Sequence, residues 1–234
     1  MNKSFPILSW ILISSFFIIS CGPSIKLLAG VPNLNVYTQK EIDLNKKKLQ
    51  ESNNIIDVEP IKLLNETDIR SFAYLSFIYA PYIFDNNNNL LCNKSDSLCV
   101  SAQLEVSKDI QISESYVICD TTKTTSNITY FFGSYENVIS KLELEKEYNL
   151  NKYDYKVLYF INSDVSKNDL EIEWKNIYKP LNNDKDKTIF IRIWTDLNEE
   201  WGLKNNSKVR TTVRKVKGQK REYEIVIKKL PLNK

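Results

Sequence analysis

Apolar positions occur along the chain in short segments, and their spacing changes between helical and strand periods. We expect a helix where apolar residues recur every three or four positions, and a strand where they alternate or run continuously between polar turns. The predicted elements, in chain order, are a helix at about 67–77, a strand at 82–84, strands at 100–106, 116–119 and 128–132, a helix at 134–148, a strand at 157–161, a helix at 170–181, a strand at 189–194, and strands at 209–216 and 223–229.

The segment with the clearest pattern contains two apolar runs, 157–161 and 189–194. Both runs are continuous, as in strands that are covered on both faces. The segment 170–181 between them has one apolar helical face. A strand, a helix and a strand joined by short loops predict a βαβ unit with parallel strands. With a terminal β-hairpin around Gly218, the pattern predicts an α/β fold, a mixed sheet flanked by helices.

The N-terminus has the features of a cleaved leader. Lys3 precedes an apolar stretch, Phe5–Ile19, which is shorter than the roughly 20 residues of a membrane-spanning helix and is typical of a signal peptide. The stretch ends in Ser20-Cys21-Gly22. An aliphatic residue three positions before the cysteine, with small residues on both sides of it, resembles the lipobox of bacterial lipoproteins.

This resemblance implies that Cys21 carries a thioether-linked diacylglycerol, that cleavage follows Ser20 and that the new amino group is acylated. Several acyl chains hold a protein firmly at a bilayer. Gly22, with no aspartate directly after Cys21, resembles lipoproteins of the outer membrane. We therefore expect a lipid-anchored protein of the bacterial cell envelope that faces the periplasm. The alternative is a plain signal peptide in which Cys21 is incidental.

These signals divide the chain into a signal peptide at 1–20, a lipidated N-terminus and tether at 21–64, and a globular domain at 65–234. The whole chain has 32 basic and 29 acidic residues and a net charge of +3. Loss of the leader removes only Lys3, which leaves a net charge of +2. Such a balance does not favour an electropositive surface for nucleic acids, so we expect no nucleic-acid partner.

Four stretches of the chain are similar to a family of flavobacterial (Bacteroidota) lipoproteins to which no reaction is assigned. These stretches are Lys26–Asn33, Ala80–Asp85 with Cys99 downstream, Val157–Asn162 running into Trp174, and Thr195–Trp201. The resemblance implies an envelope lipoprotein and supplies no activity.

A βαβ unit followed by a hairpin also resembles the C-terminal part of a thioredoxin fold. In active thioredoxins the first strand leads into a Trp-Cys-x-x-Cys turn at a helix N-terminus, which lowers the thiol pKa. Here the turn at 162–169 contains no cysteine, and Thr211-Thr212-Val213 stands where active members have a proline. The resemblance therefore implies a thioredoxin-like domain that lacks its dithiol.

Beyond Cys21, the chain has three cysteines, Cys92, Cys99 and Cys119, which allow three single-bridge pairings. We predict a loop-closing disulfide between Cys92 and Cys99, with Cys119 as a buried free thiol. A redox-active Cys92/Cys99 pair is the alternative. The chain has no histidine, which excludes Ser-His-Asp triads and His-ligated zinc. A three-thiolate metal site would lack a fourth ligand, so we expect neither a metal nor a cofactor.

Candidate ligand contacts follow the predicted strand 189–194. Asp196, Glu199 and Trp201 lie where α/β folds tend to bind ligands, although a solvated loop would have the same composition. Of the nearby tryptophans, Trp174 and Trp194 are expected in the core, and Trp201 is the candidate for exposure.

The terminal hairpin is rich in cations. Its basic residues are Arg210, Arg214, Lys215, Lys217, Lys220, Arg221, Lys228 and Lys229. We interpret them first as protection against edge-to-edge strand pairing. The alternatives are contacts with lipid phosphates or with another protein.

The leading hypothesis is a membrane-anchored, non-enzymatic binding or structural module of the envelope. The alternatives are a periplasmic thiol–disulfide oxidoreductase that uses Cys92 and Cys99, and an accessory subunit of an envelope complex.

Overall fold

Strands and helices are interspersed along the chain in this computed structural model. It describes residues 31–49, 52–61, 64–78, 80–94, 110–120, 126–144, 148–166, 170–182, 186–215 and 223–233. The strands are β1 (Leu34–Tyr37), β2 (Ile55–Val58), β3 (Tyr82–Asp85), β4 (Leu90–Asn93), β5 (Tyr116–Ile118), β6 (Tyr155–Ile161), β7 (Thr188–Trp194), β8 (Leu197–Asn198), β9 (Lys208–Val209), β10 (Thr211–Lys215) and β11 (Tyr223–Ile227). The helices are α1 (Gln39–Lys46), α2 (Glu66–Leu75), α3 (Ile112–Ser115), α4 (Asn127–Phe132), α5 (Tyr135–Ile139), α6 (Ser163–Ser166) and α7 (Leu170–Leu181), with 3-10 turns at Leu150–Lys152 and Glu199–Trp201.

Six strands form one mixed sheet in the order β2-β7-β6-β3-β4-β5. Strands β2, β7 and β6 are parallel, and Val157 of β6 lies opposite Phe190 of β7. Each of the pairs β6–β3, β3–β4 and β4–β5 is antiparallel. Helix α7 connects the two central parallel strands, as the βαβ pattern predicts. The fold is therefore α/β with a mixed sheet.

Both faces of this sheet are covered by helices. Successive residues of β6 point to opposite faces: Val157 and Tyr159 join the cluster that contains α7, while Leu158 and Phe160 join the cluster that contains α2, α4 and α5. A strand between two apolar layers has no solvated face, so it needs a continuous apolar sequence. The predicted burial of this run on both faces is confirmed.

A second, three-stranded sheet has the order β8-β1-β9, and β10 and β11 form a separate hairpin. Leu34 of β1, Val209 and Ile227 belong to a third apolar cluster shared with α2. The predicted C-terminal hairpin is confirmed, but it does not extend the six-stranded sheet as the thioredoxin comparison requires. The hairpin that flanks β6 is β3–β4, which comes before the βαβ unit in the chain.

The predicted boundary between tether and domain at residue 64 is wrong. Strand β1, helix α1 and strand β2 all lie within 21–64, and β2 is the edge strand of the main sheet beside β7. These strands have four residues each. Strands this short carry little periodic signal, and their stability comes from pairing with strands more than a hundred residues away.

The segment 128–132, predicted as a strand, is helix α4. The side chain of Ser126 accepts a hydrogen bond from the Thr129 N–H at 3.0 Å, and the helix ends at Gly133, whose φ of +78° favours glycine. The predicted helix at 134–148 is also shorter than expected, because α5 ends at Ile139. The predicted strand at 100–106 lies outside the described residues.

A buried lysine holds the turn between β3 and β4. Lys156 is 0% exposed, and its ammonium donates to the Asn88 side chain at 2.7 Å and to the carbonyls of Asp85 at 3.2 Å and Asn86 at 3.3 Å. The Asp85 carboxylate in turn accepts the Asn89 N–H at 2.8 Å. Burial lowers the pKa of Lys156. The asparagine run therefore has a structural use: it solvates a buried cation from within the chain.

Candidate functional site

The carboxyl ends of β2, β6 and β7 meet at one edge of the sheet, the position where open α/β sheets bind ligands. Polar residues follow each strand there: Glu59 after β2, Asn162–Asp164 after β6, and Thr195, Asp196 and Asn198 after β7. Parallel pairing in register places these segments side by side. We call this region the carboxyl edge.

At the carboxyl edge, Asp164 is bound to strand β1. Asp164 is 8% exposed. The Asn35 N–H donates to its Oδ2 at 2.6 Å, the Asn35 amide group donates to its Oδ1, and the Tyr37 hydroxyl donates to Oδ1 at 2.9 Å. Burial, and then the charge of Asp164, raise the pKa of Tyr37, so the phenol remains a donor. Asp164 therefore fastens β1 across the ends of the main strands.

Asp196 lies deeper in the same cluster and is 1% exposed. Ser163 donates to it twice, from its N–H to Oδ1 at 2.8 Å and from its hydroxyl to Oδ2 at 3.1 Å. Asn45 of α1 donates to the same hydroxyl at 2.8 Å. Burial raises the pKa of Asp196 to about 7, and the nearby charges of Asp164 and Glu59 act in the same direction. The carboxyl group of Asp196 therefore changes its protonation state near neutral pH.

The raised pKa predicts that stability falls as the pH rises. Between about pH 4 and about pH 7 the folded chain binds a proton at Asp196 that the unfolded chain has already released, so the free energy of unfolding decreases across this window. Asp196→Asn should remove the decrease and raise stability at about pH 8 by on the order of 4 kcal/mol. Urea unfolding of both chains at about pH 5 and about pH 8 measures this change in the free energy of unfolding.

Asp154→Asn, at an exposed position before β6, is the matched control and should leave the pH dependence unchanged. A pH dependence that is the same in Asp196→Asn and in the wild-type chain would contradict the prediction.

A shallow cleft of about 110 Å³ opens at the carboxyl edge. Its lining residues are Gln39, Glu59, Pro60, Glu143, Asn198, Glu200 and Trp201. Gln39, one of the lining residues, donates to Glu59 at 2.8 Å and accepts from the Asn198 amide at 2.6 Å. Lys46 forms an ion pair with Glu59, whereas Glu143 and Glu200 are exposed. This lining offers hydrogen-bond acceptors and negative charge, chemistry suited to a small cationic or hydroxyl-bearing group.

The three predicted ligand contacts have different surroundings. Asp196 is buried beneath Ser163, so it does not reach the surface. Glu199 is partly buried and its carbonyl accepts the Gly202 N–H at 3.0 Å. Trp201 lines the cleft, but it is only 6% exposed and belongs to the third apolar cluster. The expectation that Trp201 is exposed is therefore wrong, because the 3-10 turn at Glu199–Trp201 directs its indole into the core.

The other two tryptophans agree with the prediction. Trp174 and Trp194 are each 1% exposed and belong to the cluster under α7.

The predicted disulfide pairing is also wrong. Cys92 of β4 is bonded to Cys119, which directly follows β5, with a Cα–Cα distance of 5.0 Å. Cys119 is buried as expected, but it is not a free thiol. Cys99, the predicted partner, lies outside the described residues, as does Cys21. The antiparallel pairing of β4 with β5 brings the sulfurs of Cys92 and Cys119 together. The sequence does not show this strand pairing, and spacing along the chain alone favours Cys99, the cysteine nearer to Cys92.

Sequence reasoning missed the residues that hold β1, namely Asn35, Tyr37 and Asp164. A signal for this strand exists: Leu34 and Val36 alternate with Asn35 and Tyr37 before a Thr38-x-x-Glu41 capping box. The box is formed, since Thr38 and Glu41 cap each other's backbone N–H groups. No pattern in the sequence near Asp164 indicates that it accepts hydrogen bonds from Asn35 and Tyr37.

Neither a metal centre nor a membrane span is found in the part of the chain that the structure describes. Within those ranges no three His, Cys, Asp or Glu side chains group as metal ligands, and no helix there has the length and hydropathy to cross a bilayer. No family model matches the chain. No curated protein matches it, and no solved structure does. The fold and the site geometry define an α/β protein with a polar carboxyl edge.

Proposed function

We propose that this protein is a lipid-anchored protein of the bacterial envelope, held at the outer membrane through acylated Cys21 and facing the periplasm. Its globular domain acts as a binding or structural module and not as an enzyme. The leader that ends at Cys21 supports the anchor.

One observation carries the proposal: the polar groups of the carboxyl edge are used to hold the strand into which the tether runs. Asp164 accepts three hydrogen bonds from Asn35 and Tyr37 of β1. Strand β1 is also the central strand between β8 and β9. Asp196 has both oxygens bound to Ser163. Asp164 therefore holds β1 to the rest of the domain. A domain that is tethered to a membrane through its N-terminal segment requires such a hold.

In this proposal the tether is short and comprises only residues 21–30, because β1 and the elements after it belong to the domain. Cys21 precedes Val31, where the described structure begins, by ten residues. A fully extended chain spans at most about 3.3–3.6 Å per residue, so the point of attachment stays within about 35 Å of the bilayer surface. The domain therefore remains close to the membrane.

We further propose that the α/β domain has a thioredoxin-like fold. This proposal is supported by the βαβ unit of β6, α7 and β7, with the antiparallel hairpin β3–β4 beside β6. This hairpin precedes the βαβ unit in the chain, whereas the hairpin of the sequence comparison follows it. The turn after β6, at Asn162–Asp164, contains no cysteine where an active thioredoxin has its dithiol. Cys92 is bonded to Cys119, so a redox centre made of Cys92 and Cys99 is not part of this proposal.

Metabolic labelling tests the anchor. With radioactive palmitate, the wild-type chain expressed in a bacterial host should be labelled and should be found in the membrane fraction. Cys21→Ser should lose the label completely, because the thiol that carries the diacylglycerol is gone, and the unprocessed chain should accumulate. Cys99→Ser is the matched control and should keep the full label. A wild-type chain without label, or a Cys21→Ser chain that keeps it, would refute the anchor.

A further inference from the structure

Three exposed cations lie together at the base of the C-terminal hairpin. Lys208 of β9, Arg210 and Lys228 are all exposed, whereas Val209, between the first two, and Thr211, after Arg210, are buried. The Lys228 N–H donates to the Arg210 carbonyl at 2.9 Å, so these two residues are cross-strand neighbours. This alternation places the three charges on the solvent side of the strands. We call Lys208, Arg210 and Lys228 the exit patch.

The exit patch lies where the tether leaves the domain. Lys208 is paired in register with Asn35 of β1. Thr211, next to Arg210, donates its hydroxyl to the Pro32 carbonyl at 2.5 Å and its N–H to the Asn33 side chain at 3.3 Å. The three cations therefore lie beside residues 32–35, the first described segment after the tether.

Nearby carboxylates are paired with other cations. Glu224 of β11 accepts from Arg214 at 2.6 Å. Glu66 of α2 accepts from Arg70 at 2.7 Å, and that guanidinium also donates to the Lys228 carbonyl at 2.8 Å. Across the described ranges no carboxylate forms an ion pair with a residue of the exit patch. The patch therefore presents uncompensated positive charge next to the tether.

We propose that the exit patch binds the phosphate groups of anionic lipid headgroups in the bilayer that holds Cys21. This inference rests on the proposed anchor, which gives the patch a high local concentration at that bilayer. A cation beside the attachment point of a short tether is among the groups that approach the surface most closely. Basic residues gain free energy near an anionic bilayer, and a lipid chain with a basic patch is a recognised two-part membrane signal. Protection against edge-to-edge strand pairing would explain why cations occur along a strand. It does not explain why these three cations lie beside the tether.

Vesicle co-sedimentation tests the patch without the lipid anchor. The chain from Gly22 to Lys234 keeps every described strand, helix and hydrogen bond, so it retains the fold. It should bind vesicles of equal parts phosphatidylcholine and phosphatidylglycerol, should bind pure phosphatidylcholine vesicles much more weakly, and should be released by added salt. Combining Lys208→Gln, Arg210→Gln and Lys228→Gln should weaken partitioning about a hundredfold, since each charge contributes about fivefold.

The matched control removes three exposed cations near the amino ends of β6 and β7 and the end of α7, with Lys152→Gln, Lys179→Gln and Lys187→Gln. It has the same net charge as the patch variant and should bind within about twofold of the wild-type chain. Equal weakening in both variants, or equal binding to both vesicles, would overturn the proposal. Crosslinking of Lys208 to a protein in intact cells, without vesicle binding, would overturn it in favour of a protein partner. Vesicle binding does not use Cys21, so this result and palmitate labelling can fail independently.

Discussion

Asp57→Ala is expected to lower the free energy of unfolding by about 3–4 kcal/mol. Arg192 is 1% exposed, and its Nε donates to Asp57 Oδ1 at 2.8 Å while a second guanidinium nitrogen pairs with Oδ2. Trp194 Nε1 donates to the same Oδ1 at 2.6 Å. Alanine at position 57 would remove this acceptor from a buried cation and from a buried indole. The Asp57 side chain is 24% exposed, so water relieves part of the cost.

Urea unfolding measures the loss, and the chain offers a matched surface pair. Glu171 and Lys175 of α7 form an ion pair at 2.6 Å with side chains 59% and 53% exposed. Glu171→Ala should therefore cost less than about 0.5 kcal/mol. Combining Asp57→Asn with Arg192→Met removes the buried charge and keeps an acceptor for Trp194, so it should recover most of the stability. If Asp57→Ala costs no more than Glu171→Ala, the buried pair has no stabilising role.

The second large effect concerns the disulfide. Replacing Cys92 and Cys119 together by serine is expected to lower the free energy of unfolding by about 3–4 kcal/mol, because the bridge closes a loop across a sequence separation of 27 and restricts the unfolded chain. The bridge lies at the edge of the main sheet, where β5 has only three residues. Urea unfolding of the oxidised wild-type chain and of the double variant measures the difference.

Cys99→Ser is the control for this prediction. It should leave both the bridge and the unfolding midpoint unchanged, and peptide mapping of the oxidised chain should recover Cys92 linked to Cys119. A map that links Cys92 to Cys99, or a Cys99→Ser variant as unstable as the double variant, would contradict the pairing in the structure.

The central part of the fold was predictable from local pattern. Strands β6 and β7 are continuous apolar runs, and α7 has an apolar face with Trp174 at its centre. These patterns report burial directly, because a strand between two helical layers and a helix on a sheet each expose a defined set of positions. The helix predicted at about 67–77 is likewise present as α2, capped at Asn65 and ending at Leu75.

The candidate site was predictable only as a region. Residues after β7 do lie at the carboxyl edge, as strand order in α/β folds implies. The surroundings of Asp196 and Trp201 depend on what covers them: Ser163 covers the carboxylate, and the third apolar cluster encloses the indole. Ser163 is 33 positions before Asp196, and the cluster around Trp201 includes Leu34 and Ile69, so no local window contains all of these covering groups.

The amino-acid sequence alone determines the α/β class and the βαβ unit, because each depends on a hydrophobic pattern within one short segment. Only the tertiary structure decides that β1 and β2 join the sheets, that Cys92 pairs with Cys119, and that the exit patch lies beside residues 32–35. These features depend on register between strands far apart in the chain, where many pairings satisfy the same local pattern. Packing of the whole chain selects one of them.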